Sequence, residues 1–154
     1  MTDPAPRRVL LVANRTAATD GLLEAVRARA QRGPAAFHLV VPAHPHGLHK
    51  VVDPQDGDAG EAERVLADAL PLLSAAAGSE VTGHVGDHEP LMAIEDALNR
   101  GSYDEIVIST LPRRLSRWLH VDLVSKARGT GLPVTHVEAG EPVSESAAAP
   151  AAPA

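Results

Sequence analysis

The chain has no cysteine, and in 154 residues it holds one tryptophan, one tyrosine and one phenylalanine. The first absence excludes disulfides and thiolate metal sites. The second argues against nucleic-acid modules that stack bases on aromatic rings. It also leaves the core to valine, leucine, isoleucine and alanine, with Phe37, Tyr103 and Trp118 as isolated large rings. No apolar run approaches the ~20 residues that a membrane helix needs. No signal-like apolar segment precedes the first strand-like run. Positive charge is scarce too: 14 Lys and Arg stand against 20 Asp and Glu, a formal net charge of −6. A general basic face for duplex nucleic acid is therefore not expected. A cytoplasmic protein without nucleic-acid or membrane partners is the expectation.

What is present looks globular. Hydrophobic residues make up 44% and charged residues 22%, near the average for a soluble domain. A chain of this length buries roughly two-thirds of its unfolded surface as one domain. That domain is expected over residues 1–139. Residues 140–154 turn to alanine, proline, serine and glutamate and are expected to be a disordered tail.

Along the chain, strand and helix signals alternate. Arg8-Val9-Leu10-Leu11-Val12-Ala13 is a short apolar run that predicts a buried strand. Leu22, Leu23, Val26 and Ala30 recur at helical spacing, with Thr19 or Asp20 as N-cap and Gly33-Pro34 as the stop. Residues 36–41 predict a second strand. A long loop rich in His, Pro, Gly and Asp occupies 43–60. Ala62, Val65, Leu66, Ala69, Leu70 and Leu73 predict a second helix from about Gly60, which Pro71 should kink or end. Residues 80–85 alternate as a half-exposed strand does. Leu91, Ile94 and Leu98 mark a third helix closed by Gly101. A strand over 104–109, a last helix over about 116–128 and an edge strand over 133–137 complete the chain. This order predicts an α/β fold: a doubly wound, parallel, five-stranded sheet with helices on both faces.

The richest stretch is the fourth strand and the loop after it. Ile106-Val107-Ile108 is a β-branched run suited to a strand covered on both faces. It leads into Ser109-Thr110 and then a loop with Arg113, Arg114, Ser116 and Arg117. Ligands of open parallel sheets bind beyond the carboxyl ends of the strands. Arginine forks and a helix N-terminus there suit a phosphate or carboxylate. Asn14, Arg15 and Thr16 come after the first strand and complete the same pocket if strands one and four are neighbours. The competing readings are a solvated basic turn for the arginines and a local turn bond for Asn14.

Other signals are weaker. His44, His46 and His49 form a histidine-rich loop, and His84, Asp87 and His88 a second cluster. Imidazoles ligate zinc, nickel or copper, but neither group has the spacing of a complete ligand set, and an exposed loop is the simpler reading of both. Trp118 fits packing of its helix on the sheet. There is no Gly-x-Ser-x-Gly elbow, no carboxylate cluster after strand one and no glycine-rich turn there. These absences argue against a serine hydrolase, a phosphoacceptor receiver and a dinucleotide site.

Gly86-Asp87, the apolar helix from Pro90, the strand Asp104-Glu105-Ile106-Val107-Ile108-Ser109 and the strand Pro133-Val134-Thr135-His136-Val137 resemble the C-terminal half of the universal stress protein family. The first strand with Asn14 at its end resembles the N-terminal half. The resemblance spans about residues 8–138 and implies a Rossmann-like sheet and a homodimer formed through the last strand. Nucleotide-binding members carry an Asp after strand one and a Gly-x2-Gly-x9-Gly-Ser/Thr phosphate loop after strand four. This chain has Asn14 at the first place, Ser109 and Pro112 at the first two glycines, and His120-Val121 near the last. A Cβ blocks close backbone approach to phosphate. The resemblance therefore implies a divergent member lacking the glycine-rich ATP loop, with no cofactor expected and ATP or another nucleotide as the alternative.

The expected function is non-catalytic binding of an anionic small molecule or nucleotide at Asn14, Arg15, Thr16, Ser109, Thr110, Arg113, Arg114, Ser116 and Arg117. A ligand-free homodimeric interaction module is the first alternative, and a nucleotide-hydrolysing enzyme the second.

Overall fold

The computed structural model describes residues 5–14, 16–43, 58–110 and 123–138. The elements are β1 (Arg7–Val12), α1 (Asp20–Gln31), β2 (Ala35–Pro42), α2 (Asp58–Ala77), β3 (Thr82–Gly86), α3 (Pro90–Arg100), β4 (Glu105–Thr110) and β5 (Val134–Glu138). Residues 123–128 are helical ahead of β5. The strands form one parallel sheet in the order β3-β2-β1-β4-β5. The five-stranded doubly wound sheet expected from the sequence is the one observed. Among the described residues, no helix is long and apolar enough to cross a membrane.

β1 explains the sheet's apolar runs. It pairs with β2 on one side and β4 on the other, in register Leu11↔Leu39 and Leu11↔Val107. Val9, Leu11 and Ala13 enter a core with Leu22 and Val26 of α1 and Ala62, Ala69 and Leu73 of α2. Leu10 and Val12 enter a second core with Ala93, Ile94 and Ala97 of α3 and with Leu123, Val124 and Ala127. A strand covered on both faces needs apolar side chains at every position, which is why residues 9–13 do not alternate. Each fully buried Leu or Val there contributes about 1.5–3 kcal/mol. β3 and β5 lie at the edges, and both are partly exposed, in keeping with their mix of polar and apolar side chains.

Three local expectations are refined, and Pro71 does not end its helix. α2 continues through Pro71 to Ala77. Pro71 and Ala67, one turn earlier, are both exposed, so the carbonyl that loses its amide partner lies on the solvent side. Buried Ala69 and Leu73 hold the helix to the sheet on either side of the proline. Thr19 occupies the N-cap of α1 but makes no side-chain cap bond. Its hydroxyl donates instead to the Thr16 carbonyl at 2.8 Å. Asp20 is the first helical residue, where its charge complements the helix dipole without capping. In α3 the fully buried positions are Ala93, Ile94 and Ala97, while Leu91 and Leu98 pack only partly buried beside them. The small residues let α3 sit close. A Cβ placed on Gly86 would come within 2.9 Å of both the Ala93 Cβ and the Val40 Cγ1.

Two polar ties close the sheet at the end where β1 and β4 begin. The Arg8 amide donates to Asp104 Oδ2 and the Asp104 amide to the Arg8 carbonyl, each at 2.8 Å. Arg29, in the last turn of α1, donates through Nε to Glu105 Oε2 at 3.0 Å, and both side chains are largely sheltered from water. The histidine loop of His44, His46 and His49, Trp118 and the tail over 140–154 lie outside the described residues.

Gly83 offers a direct test of this packing. A Cβ there would meet the Leu39 carbonyl oxygen and Leu66 Cδ1, both at 2.7 Å, and the former is backbone of the neighbouring strand. Gly83→Val is expected to lower unfolding free energy by about 1–3 kcal/mol. Gly101→Ala, where the nearest atom is the end of the Arg8 side chain at 3.4 Å and the backbone is extended, is expected to change it little. Urea unfolding of both variants checks the contrast.

Candidate functional site

The chain leaves β1 outward to β2 and β3, then returns to β4 on the other side of β1. The crevice of such a sheet opens at the carboxyl ends of β1 and β4, where the connections diverge. Strands one and four are therefore neighbours at the switch point, as the pocket read from the sequence requires.

After β1 the backbone turns tightly. The Ala17 amide donates to the Asn14 carbonyl at 3.1 Å and the Thr19 amide to the Thr16 carbonyl at 3.2 Å. This turn brings the buried Thr16 over the end of β4, where its Oγ1 donates to the Ser109 carbonyl at 3.2 Å. Asn14 stands half-buried at the start of the same turn. Thr16 and Ser109, 93 positions apart in the chain, are thus directly joined.

The two hydroxyls that end β4 separate. Side chains alternate across a strand. Val107 lies in the core under α1 and α2, whereas Ile106 and Ile108 lie in the core under α3. Ser109 accordingly faces the α1 side and Thr110 the α3 side. Thr110 Oγ1 shares a 2.7 Å hydrogen bond with His136 Nε2 of β5. Ser109 Oγ is buried, the residue being 5% exposed, and has no hydrogen-bond partner among the described residues. A buried hydroxyl without a partner is costly and uncommon in a native core. Here it lies where a ligand of this sheet type would arrive.

Asn14, Thr16, Ser109 and Thr110 thus gather at one end of the sheet. Arg15, Arg113, Arg114, Ser116 and Arg117 lie outside the described residues. His136, the partner of Thr110, was not among the residues expected at the site. Its signal was a polar ring in the last strand, on the same face as Thr110 once the register Ile108↔His136 is known.

A second polar cluster, also unexpected, lies on the α3 face toward the opposite end. His38 Nε2 and His84 Nδ1 are 2.8 Å apart, and His38 Nδ1 shares a 2.7 Å bond with Thr82 Oγ1. The sequence signal was a lone imidazole, His38, inside the otherwise apolar Phe37-His38-Leu39-Val40. The cluster read as His84, Asp87 and His88 does not assemble as such: His84 turns to His38, while His88 Nδ1 lies 3.3 Å from Asp87 Oδ1. Among the described residues, no three His, Cys, Asp or Glu side chains converge as metal ligands would.

No protein-family model and no curated protein matches the chain. Solved structures do. A universal stress protein from Archaeoglobus fulgidus superposes with a TM-score of 0.60 at 20% identity, covering 85% of this chain and 93% of its own. The same organism's protein in complex with dAMP gives 0.57 at 21%, covering 86% and 98%. A universal stress protein in complex with cAMP gives 0.58 at 17%, covering 88% and 100%. The chain has the universal stress protein fold. That fold accounts for the sheet order and for the crevice between β1 and β4. Within it, Ser109 and Thr110 end β4 with the hydroxyls just described, one unpaired among the described residues and one held by histidine.

The unpaired hydroxyl has a measurable consequence. Ser109→Ala is expected to leave stability unchanged or raise it by about 1 kcal/mol, since it removes a buried group that no described protein atom satisfies. Thr16→Val, which removes the bond to the Ser109 carbonyl, is expected to cost about 1 kcal/mol. Thermal unfolding of the ligand-free variants measures both.

Proposed function

We propose that the chain is a divergent, cytoplasmic member of the universal stress protein family that binds an anionic small molecule at the carboxyl ends of β1 and β4 without turning it over. An adenine nucleotide is the first class to test. The observation that carries this reading is the unpaired Ser109 hydroxyl, buried at the switch point beside the turn that Thr16 anchors. A ligand oxygen would satisfy it. Arg113, Arg114 and Arg117 come after β4 in sequence, and their guanidinium groups attract phosphate oxygens without needing the family's glycines. The cAMP and dAMP complexes of two proteins with this fold support the choice of ligand class.

Calorimetric titration with ATP, AMP and cAMP, repeated on the Arg113→Ala/Arg114→Ala double variant, tests it. The expected result is binding by the parent, weakened at least about tenfold in the variant, roughly one charge-assisted hydrogen bond or more. Equal binding by both proteins would remove the loop from the site. Nucleotide turnover is expected to stay at buffer background with added magnesium.

A second reading rests on β5. It is an edge strand, Val134–Glu138, with Thr135 and Glu138 exposed, and edge strands template pairing with another chain. In this reading a homodimer formed through β5 is the working unit and no small molecule is held. Native mass spectrometry of freshly purified protein separates the two readings: a dimer mass without adduct favours the second, retained nucleotide the first.

A further inference from the structure

We propose that His38 and His84 form a proton-operated latch: their shared hydrogen bond holds the edge strand β3 against β2, and uptake of a second proton by the pair releases it. The proposal is independent of any ligand at the carboxyl end of the sheet.

His38 Nε2 and His84 Nδ1 stand 2.8 Å apart, with ring centroids 5.0 Å apart and planes tilted by 37°. A bond between two ring nitrogens needs one proton and one lone pair. When both rings are neutral this holds in either sense. If His38 Nε2 donates to His84, His38 Nδ1 accepts from the Thr82 hydroxyl. If His84 Nδ1 donates, His38 Nδ1 donates to Thr82 Oγ1. One added proton is also tolerated, because a charged His38 donates at both nitrogens. Two added protons are not: each facing nitrogen then carries hydrogen, the bond is lost, and two like charges face each other.

The surroundings oppose the second proton. Arg8 from β1 acts on His38, and Arg100 from α3 acts on His84; Asp96 of α3 is the opposing charge. The Tyr103 ring lies 6.4 Å from His38 and sits under the Arg8 guanidinium, whose carbon is 5.1 Å from the ring centre. Partial burial pushes both imidazoles below the ordinary 6.5, aided by the neighbouring positive charges. Because the folded-state values are lowered, the unfolded chain binds more protons as the medium acidifies. The pair's contribution to stability is therefore full above about pH 6.5 and is lost as pH falls through the lower folded-state values.

β3 is the strand on which such a loss would tell. It lies at the sheet edge, and its residues Thr82-Gly83-His84-Val85-Gly86 carry one apolar side chain. Backbone pairing to β2, the close fit of Gly83 and Gly86 to their neighbours and the packing of Val85 hold it, and the Thr82–His38–His84 chain adds the side-chain hydrogen bonds that tie it to β2. β1, in contrast, is apolar and paired on both sides.

The test uses the full chain labelled with nitrogen-15. Ring nitrogen shifts of His38 and His84 and amide exchange of β3 and β1 are followed from about pH 8 down to about pH 4, below the ordinary histidine range because both rings are lowered, with exchange corrected for its intrinsic pH dependence. The expected result is two linked steps shared by both rings. Protection of the β3 amides should fall at least about tenfold across the second step while β1 is unchanged. In His84→Gln, which keeps a side-chain donor and acceptor but does not titrate, β3 protection should become independent of pH; His38→Gln serves equally if the first variant does not fold. Independent single-step titration of each ring with β3 protection unchanged would overturn the proposal. So would β1 and β3 loosening together, or the pH dependence persisting in the variant.

Discussion

The constraint on which the rest depends is the burial of β1 on both faces and between two parallel neighbours. Once Val9 to Ala13 are committed to two cores, helices must cover the sheet on each side. The chain must also cross from the β3 edge back over β1 to place β4. That crossing creates the crevice. The candidate site is thus a by-product of the topology, and the residues that happen to end β1 and β4 decide what it can hold.

Those residues divide the crevice into two kinds of chemistry. On the α1 side, Thr16 ties the first turn to the end of β4, and the Ser109 hydroxyl remains unsatisfied among the described residues. On the α3 side, Thr110 is held by His136. A protein that only needed stability would gain by replacing Ser109 with alanine, because an unpaired buried hydroxyl opposes folding. Sites where a local rule is broken without a compensating contact are the places to look for function.

Much of the architecture was legible because burial leaves a period in the sequence. The unbroken apolar runs of β1 and β4, the helical spacing of α1 and α2, the alternation in β3 and the leading proline of the edge strand β5 all map onto the observed elements. Pro71 does not end α2, because its local cost is real but burial of Ala69 and Leu73 outweighs it. The position of Asn14, Thr16, Ser109 and Thr110 at the switch point was also legible, since strand order comes from element order in doubly wound sheets. The pairs Thr110–His136 and His38–His84 were not. Each depends on strand register, and one residue of slip would send an imidazole to the other face.

The most direct measurement of the central claim is chemical-shift mapping of the nitrogen-15-labelled chain with AMP. The expected result is a set of saturable shifts confined to the amides of Asn14, Thr16, Ser109 and Thr110 and their neighbours, with the Arg8–Asp104 end of the sheet silent. Shifts centred on that opposite end, or none at saturating nucleotide, would contradict it.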